Sequence, residues 1–216
     1  MILYHGSKSG IKGSIRPDAS RETCDFGKGF YLGDKKEQPI SLVSSYEDSI
    51  LYTMELDICN IENKLEFEDN YASQLDWALY IAYNRKIGNL QQYEKLDVRY
   101  KMYNEAYDTI IGLIADDKMT QVLNQFYAGV LCDKAMLEAL QSVKLGKQYV
   151  IKNKEICSNV KIVEEHKLTQ NERKLGTALA TNRINQTNQI ISQVQTKYRR
   201  AQNVKYFDEI IKEWNI

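Results

Sequence analysis

The chain has 216 residues, 43% of them hydrophobic, and its 29 basic and 29 acidic side chains leave no formal net charge. That is enough for one generous domain with a real core, and the charge balance gives no reason to invoke nucleic acid or an anionic membrane as partner. No stretch reaches the roughly 18 apolar residues that span a bilayer, and the four cysteines form no CxxC or Cys/His cluster. The expectation is a soluble, cytoplasmic protein with no metal site, no disulfide framework and no membrane contact.

In chain order, Ile2-Leu3-Tyr4-His5 reads as a short strand ending at Gly6, followed by a loop to Cys24 in which Ile11 and Ile15 are pinned to the core. Phe30-Tyr31-Leu32 reads as a second strand. A short helix over 35–45 is expected to break near Pro39, because proline cannot donate into a helix ladder. From Ser49 to Asp57 the apolar residues alternate with period two, which predicts a strand. Between Asn70 and Lys86, Leu75, Ala78, Leu79 and Ala82 recur at helical spacing, with Trp77 and Ile81 widening the apolar face. Residues 88–100 are polar and read as a loop or a weak helix.

Thr109 to Ile114 is β-branched and apolar, a buried strand closed by Asp116-Asp117. Helices follow through Val122 to Tyr127, ending at Gly129, and from about Asp133 to Val143. Gln148 to Lys152 and Val160 to Glu165 read as strands. A polar helical tail runs from Thr169 to the end, anchored by Ile184, Ile190, Ile191 and Val194. Short strands among helices without regular βαβ alternation imply an α+β fold, with a main domain over 1–157 and a C-terminal extension over 158–216 packed on it.

The stretch Asp25-Phe26-Gly27-Lys28-Gly29-Phe30-Tyr31-Leu32-Gly33-Asp34 stands out. Three glycines among two aromatics suit a backbone that lies close to a ligand while an aromatic face is presented to it, and they equally suit a turn leading into a buried strand. Taken with Tyr4-His5-Gly6-Ser7, the stretch resembles the first two motifs of ADP-ribosyltransferases of the diphtheria-toxin and PARP-like branch, named for a His-Tyr-Glu triad. The likeness is closer to a bacterial group within it described only as a domain of unknown function. That group shares the Asp-Phe-Gly-Lys-Gly-Phe-Tyr run, a Trp-bearing helix ending in Asn84-Arg85, and Tyr107-Asp108 through Gly112 to Ala115-Asp116-Asp117. The resemblance covers about residues 1–153.

It implies a split, strongly twisted pair of small sheets with surrounding helices and an NAD cleft between the sheets. It implies further that His5 hydrogen-bonds an NAD ribose hydroxyl, that the Gly6 backbone pairs with the nicotinamide amide, and that Tyr31 stacks on the nicotinamide ring. Ser7, Phe26, Gly27, Lys28, Gly29 and Phe30 would complete the binding surface. Where the branch has its glutamate, this chain has Gln148, which can hydrogen-bond a ribose hydroxyl but cannot offer a negative charge. An acidic residue of the Asp116-Asp117 pair, Asp117 first, is then expected to contribute to catalysis. Leu42 falls where a second aromatic wall is expected, with Tyr46 or Tyr52 as substitutes.

The implied activity is NAD-dependent mono-ADP-ribosylation of a macromolecular target, a protein sooner than a nucleic acid, in an effector or toxin with a cognate antitoxin or inhibitor. Two alternatives stay open: an NAD glycohydrolase, and an inactive module that binds NAD or ADP-ribose. Each residue also has a plain counterpart. His5 can be a satisfied edge histidine, Asp116-Asp117 a helix cap, Trp77 core, Lys28 a solvated loop lysine, and Arg85 a helix-end charge instead of a pyrophosphate contact.

Overall fold

The computed structural model of the chain describes residues 1–115, 117–143 and 146–214, and within these the side chains of all but 117, 118, 143 and 179–185. Its centre is a mixed sheet of seven strands among the described residues. These are β1 (Ile2–Ser7), β2 (Phe30–Gly33), β3 (Ile50–Glu55), β4 (Lys64–Glu66), β5 (Thr109–Leu113), β6 (Lys147–Ile151) and β7 (Lys161–Lys167), in the order β4-β5-β6-β2-β1-β3-β7. Every pairing is antiparallel except that of β4 with β5. The α+β class is as expected, but the implied pair of separate sheets is corrected to one sheet. Its two halves meet where β1 and β2 share a single ladder pair, Tyr4 with Gly33. By contrast β1 runs paired with β3 along its whole length, from Ile2–Glu55 to Ser7–Ile50.

The helices are α1 (Glu37–Val43), α2 (Tyr71–Asn84), α3 (Leu90–Tyr100), α4 (Tyr103–Ala106), α5 (Asp117–Tyr127), α6 (Asp133–Val143), α7 (Lys154–Ser158), α8 (Gln170–Tyr198) and α9 (Phe207–Lys212). Pro39 does not break α1. It occupies the first turn, where backbone N–H groups have no intrahelical partner to lose. The polar run at 88–100 is a true helix, α3, because Asn89 and Gln92 close a reciprocal capping box and Leu96 and Tyr100 bury its inner face. The short elements β4 and α7 carry too few residues to show a period, whereas α4 follows the helix-compatible spacing of Tyr103, Ala106 and Tyr107.

Two cores lie on opposite faces of the sheet. The pleat sends Val150 of β6 into the larger one and Ile151 into the smaller. In the larger core Trp77 and Tyr80 of α2 meet Ile110 of β5, Met119 and Phe126 of α5, and Met136 and Leu140 of α6. The tail belongs to this core as well, through Val194 of α8 and Phe207, Ile210 and Ile211 of α9. The smaller core, Leu3, Phe30, Leu32, Tyr52 and Met54 among others, is covered by the loop after β1 through Ile11 and Ile15. At its other end α8 lies close on α1, where a Cβ on Gly176 would come within 3.0 Å of Ser44 and 3.1 Å of Ile40.

Gly112, in the middle of β5, marks the tightest joint between sheet and helices. A Cβ there would stand 2.7 Å from Phe26 Cζ and 2.9 Å from Trp77 Cδ1, both fully buried rings with no room to retreat. Gly112→Ala is therefore expected to destabilise the fold by about 1–3 kcal/mol through overpacking, read as a lowered urea midpoint with an unchanged m-value.

Candidate active-site cleft

A cleft of about 440 Å³ opens on the sheet where β1 and β2 diverge. Its floor is formed by Tyr31 of β2 and Gln148 of β6, with His5 and Gly6 of β1 at the divergence. Pro39 and Leu42 of α1 form one wall, and Arg85 and Thr120 form the other. Arg21, Thr23, Cys24 and Asp25 enter from the loop that precedes β2.

His5 bridges the divergence. Its Nδ1 lies 2.8 Å from the Tyr31 carbonyl oxygen, and its ring stacks on Phe30 at 4.6 Å between centroids. A carbonyl only accepts, so Nδ1 carries the proton, and in the neutral ring Nε2 is left as an acceptor. Burial lowers the His5 pKa and the bond to Tyr31 raises it, with burial the larger effect, so the neutral ring prevails at pH 7.

Tyr31 is locked at both ends of its side chain. Its hydroxyl donates to the Gly27 carbonyl at 2.7 Å and accepts from the Phe26 N–H at 3.0 Å. Burial, then the nearby Asp25, pushes this phenol well above its ordinary range, so it stays protonated and keeps the bond to Gly27. Gln148 is buried, and its Nε2 donates to the Leu113 carbonyl at 3.0 Å. It lines the cleft together with Asp25, whose carboxyl it helps to draw down.

Asp25 is held from α2. Arg85 Nε donates to Asp25 Oδ1 at 2.9 Å, its Nη2 reaches the same oxygen, and Nη2 also contacts Thr120 Oγ1 at 3.1 Å. The neighbouring Asn84 donates to the Asp25 main-chain carbonyl at 3.1 Å. Asp25 and Arg85 expose only 17% and 19% of their side chains. Burial pushes the Asp25 carboxyl above its ordinary value, and Arg85, then Gln148, offset only part of that rise.

Of the residues expected to form the site, His5, Gly6, Tyr31 and Gln148 line the cleft, and Ser7, Phe26, Gly27, Lys28, Gly29 and Phe30 do not. Phe26 points into the larger core and Phe30 into the smaller. Lys28 pairs with Glu22 at 2.9 Å on the surface, its plain reading. Gly29 is a packing glycine, since a Cβ would come within 2.4 Å of Val150 and 3.1 Å of the Ile151 carbonyl. Gly27 turns the loop at φ +72°. Gly6 is likewise required by α1, whose Pro39 carbonyl would stand 2.7 Å from a Cβ there.

Asp116 lies outside the described residues. Asp117 opens α5, and its side chain also lies outside them. Leu42 lines the cleft, whereas Tyr52 is buried beneath the sheet and Tyr46 sits on the surface under Lys8, 4.5 Å from the ring. Arg21, Cys24, Asp25 and Thr120 were not foreseen as lining residues. For Asp25 the pairing with Arg85 is tertiary, across 60 residues, so no local pattern announces it. Among the described residues no group of three or more His, Cys, Asp and Glu could hold a metal ion, and no helix is long and apolar enough to cross a membrane.

This is an α+β protein with a polar cleft at the centre of its sheet. The chain belongs to the family described as protein of unknown function (DUF3990), which matches residues 1–162. No curated protein and no solved structure matches it. The family finding corrects the resemblance to the His-Tyr-Glu branch of ADP-ribosyltransferases, because the family matched is one of unknown function and nothing in it points to that branch. The glycines that carried much of the resemblance have sufficient reasons in packing and turn geometry.

The lowered pKa of His5 has a consequence for stability. Between the folded value and about 6.5 the unfolded chain binds a proton that the folded ring refuses, so this contribution is present above that window and is lost as pH falls through it. On going from about pH 7 to about pH 5, the stability difference between wild type and His5→Gln is expected to shift against the wild type. Urea midpoints across that range check it.

Proposed function

We propose that the cleft binds NAD and cleaves its nicotinamide–ribose bond, passing ADP-ribose to a macromolecular acceptor. The observation that carries this reading is the convergence of His5, Tyr31 and Gln148 from three neighbouring strands on one cleft, with two arginines at its side. A volume of about 440 Å³ is within the range of small-molecule sites.

Each group has a task that its geometry suits. With Nδ1 committed to Tyr31, the free Nε2 of His5 can accept from a ribose hydroxyl. With its hydroxyl anchored in the loop, the Tyr31 ring is a fixed face on which nicotinamide can stack. Arg21, exposed at the rim, offers a guanidinium to the pyrophosphate. In the reaction the bond between ribose C1′ and the nicotinamide nitrogen breaks, and its electron pair leaves with nicotinamide as a neutral base. The acceptor then bonds to C1′ and releases its proton to solvent. The protein's part is to orient the dinucleotide and stabilise the positive charge that develops on the ribose.

Nicotinamide release from NAD by the purified protein, with and without cell lysate as a source of acceptor, tests the reading together with NAD titrations. Tyr31→Ala is expected to weaken NAD binding by about 1–3 kcal/mol, roughly fivefold to 150-fold in Kd, through loss of the stack. Tyr31→Phe keeps the ring but frees the Phe26 N–H and the Gly27 carbonyl, and is expected to lose less affinity than Tyr31→Ala while lowering the thermal midpoint. Wild-type protein that neither binds NAD nor releases nicotinamide would overturn the proposal, and release without lysate would make water the acceptor.

A further inference from the structure

We propose that Asp25 supplies the carboxylate that stabilises the positive charge developing on the ribose, and that Gln148 is the residue that positions it. This rests on the reading of the cleft as an NAD-cleaving site. Asp25 is the only acidic side chain among the described residues that line the cleft, and it enters beside Tyr31, where the nicotinamide end of the dinucleotide is placed.

The carboxylate is held as an oriented charge. Both Arg85 donors fall on Oδ1, Asn84 fixes the main-chain carbonyl of the same residue, and Arg85 is itself steadied by Thr120. Such a group needs no reorganisation when positive charge appears nearby, which is the condition under which electrostatic stabilisation is largest. The permanently charged guanidinium of Arg85 pairs with the carboxylate and opposes the rise that burial imposes on it.

Gln148 completes the argument. Its amide nitrogen carries two hydrogens, one directed at the Leu113 carbonyl and the other available to Asp25, which lines the same cleft. An ionised glutamate at this position could donate to neither. It would also set a second negative charge beside Asp25 in a largely buried site, and one of the two would have to take up a proton. Glutamine is thus the residue that the contacts of position 148 require, given an aspartate at position 25. The negative charge in the cleft is contributed by the loop before β2.

The test uses the full chain and reads NAD affinity by titration calorimetry, nicotinamide release at saturating NAD, and the thermal midpoint. Asp25→Asn keeps an acceptor for Arg85, so it is expected to bind NAD within about threefold of wild type while release falls by about 10²–10³-fold. Gln148→Glu is expected to lower release as well. Wild-type release by folded Asp25→Asn, or enhanced release by Gln148→Glu, would overturn the assignment and leave the NAD reading standing. Loss of affinity, thermal midpoint and release together would reduce Asp25 to a structural anchor and overturn it too. Should Asp25→Asn fail to fold, the double variant Asp25→Asn with Arg85→Gln, which removes both charges, carries the same comparison. A wild-type protein that neither binds nor cleaves NAD would remove the reading of the site and this assignment with it.

Discussion

The fold depends on how one loop, Cys24 to Gly29, is tied down over the centre of the sheet. Buried main-chain groups must find partners, at a cost of roughly 1–3 kcal/mol for each that does not. Here the partners come from distant parts of the chain. The Asp25 carbonyl is taken by Asn84, and the Phe26 and Lys28 carbonyls by Lys152. The Phe26 N–H and the Gly27 carbonyl are both taken by the Tyr31 hydroxyl, and the Gly29 N–H by Ser20. Loop conformation and cleft geometry are therefore one problem, because the residue that closes the loop's hydrogen bonds, Tyr31, also supplies the floor of the cleft.

The clamp works because its anchors are themselves rigid. Asn84 and Arg85 end α2, whose Trp77 and Tyr80 are fully buried in the larger core, so the two polar groups project from a fixed post. Lys152 follows β6 directly and is aimed by the sheet. Burial pulls its pKa down to about 8, and it donates to Asn104 at 2.8 Å besides the two loop carbonyls. The ammonium thus remains charged at neutral pH while surrounded by neutral acceptors. Phe26, between these ties, drops into the core against Gly112 and Trp77. Each of these contacts relies on the others, and a shift of the loop would be felt at Tyr31, Asp25 and the sheet together.

Much of this was legible residue by residue and little of it in combination. Strands with clear alternation, such as β3, and a helix with a broad apolar face, such as α2, followed from period alone. α3 did not, because its inward face rests on Leu96 and Tyr100 and its start on a capping box among otherwise polar residues. At the site, His5, Tyr31 and Gln148 were picked out by motif, and of the two readings the motif glycines allowed, room for a ligand or structural punctuation, packing against Val150, Ile151 and Pro39 supports the structural one. Asp25 stood inside the most conspicuous stretch of the chain without a role. Its role depends on Arg85 and Gln148, 60 and 123 positions away, and a pairing of that kind leaves no trace in local pattern.

The divergence of β1 from β2 shows how a structural and a chemical demand can be met by one side chain. A sheet that opens at its centre gains a cleft and loses ladder bonds, so the Tyr31 carbonyl needs another donor. Histidine provides it through Nδ1 while its other ring nitrogen remains an acceptor in the neutral ring. Lysine could supply the donor but no acceptor, and serine has no ring to stack on Phe30. The reading of His5 as a satisfied edge residue and its reading as a ligand-binding residue are therefore compatible. The bond that satisfies the sheet also fixes the tautomer that leaves Nε2 free to accept.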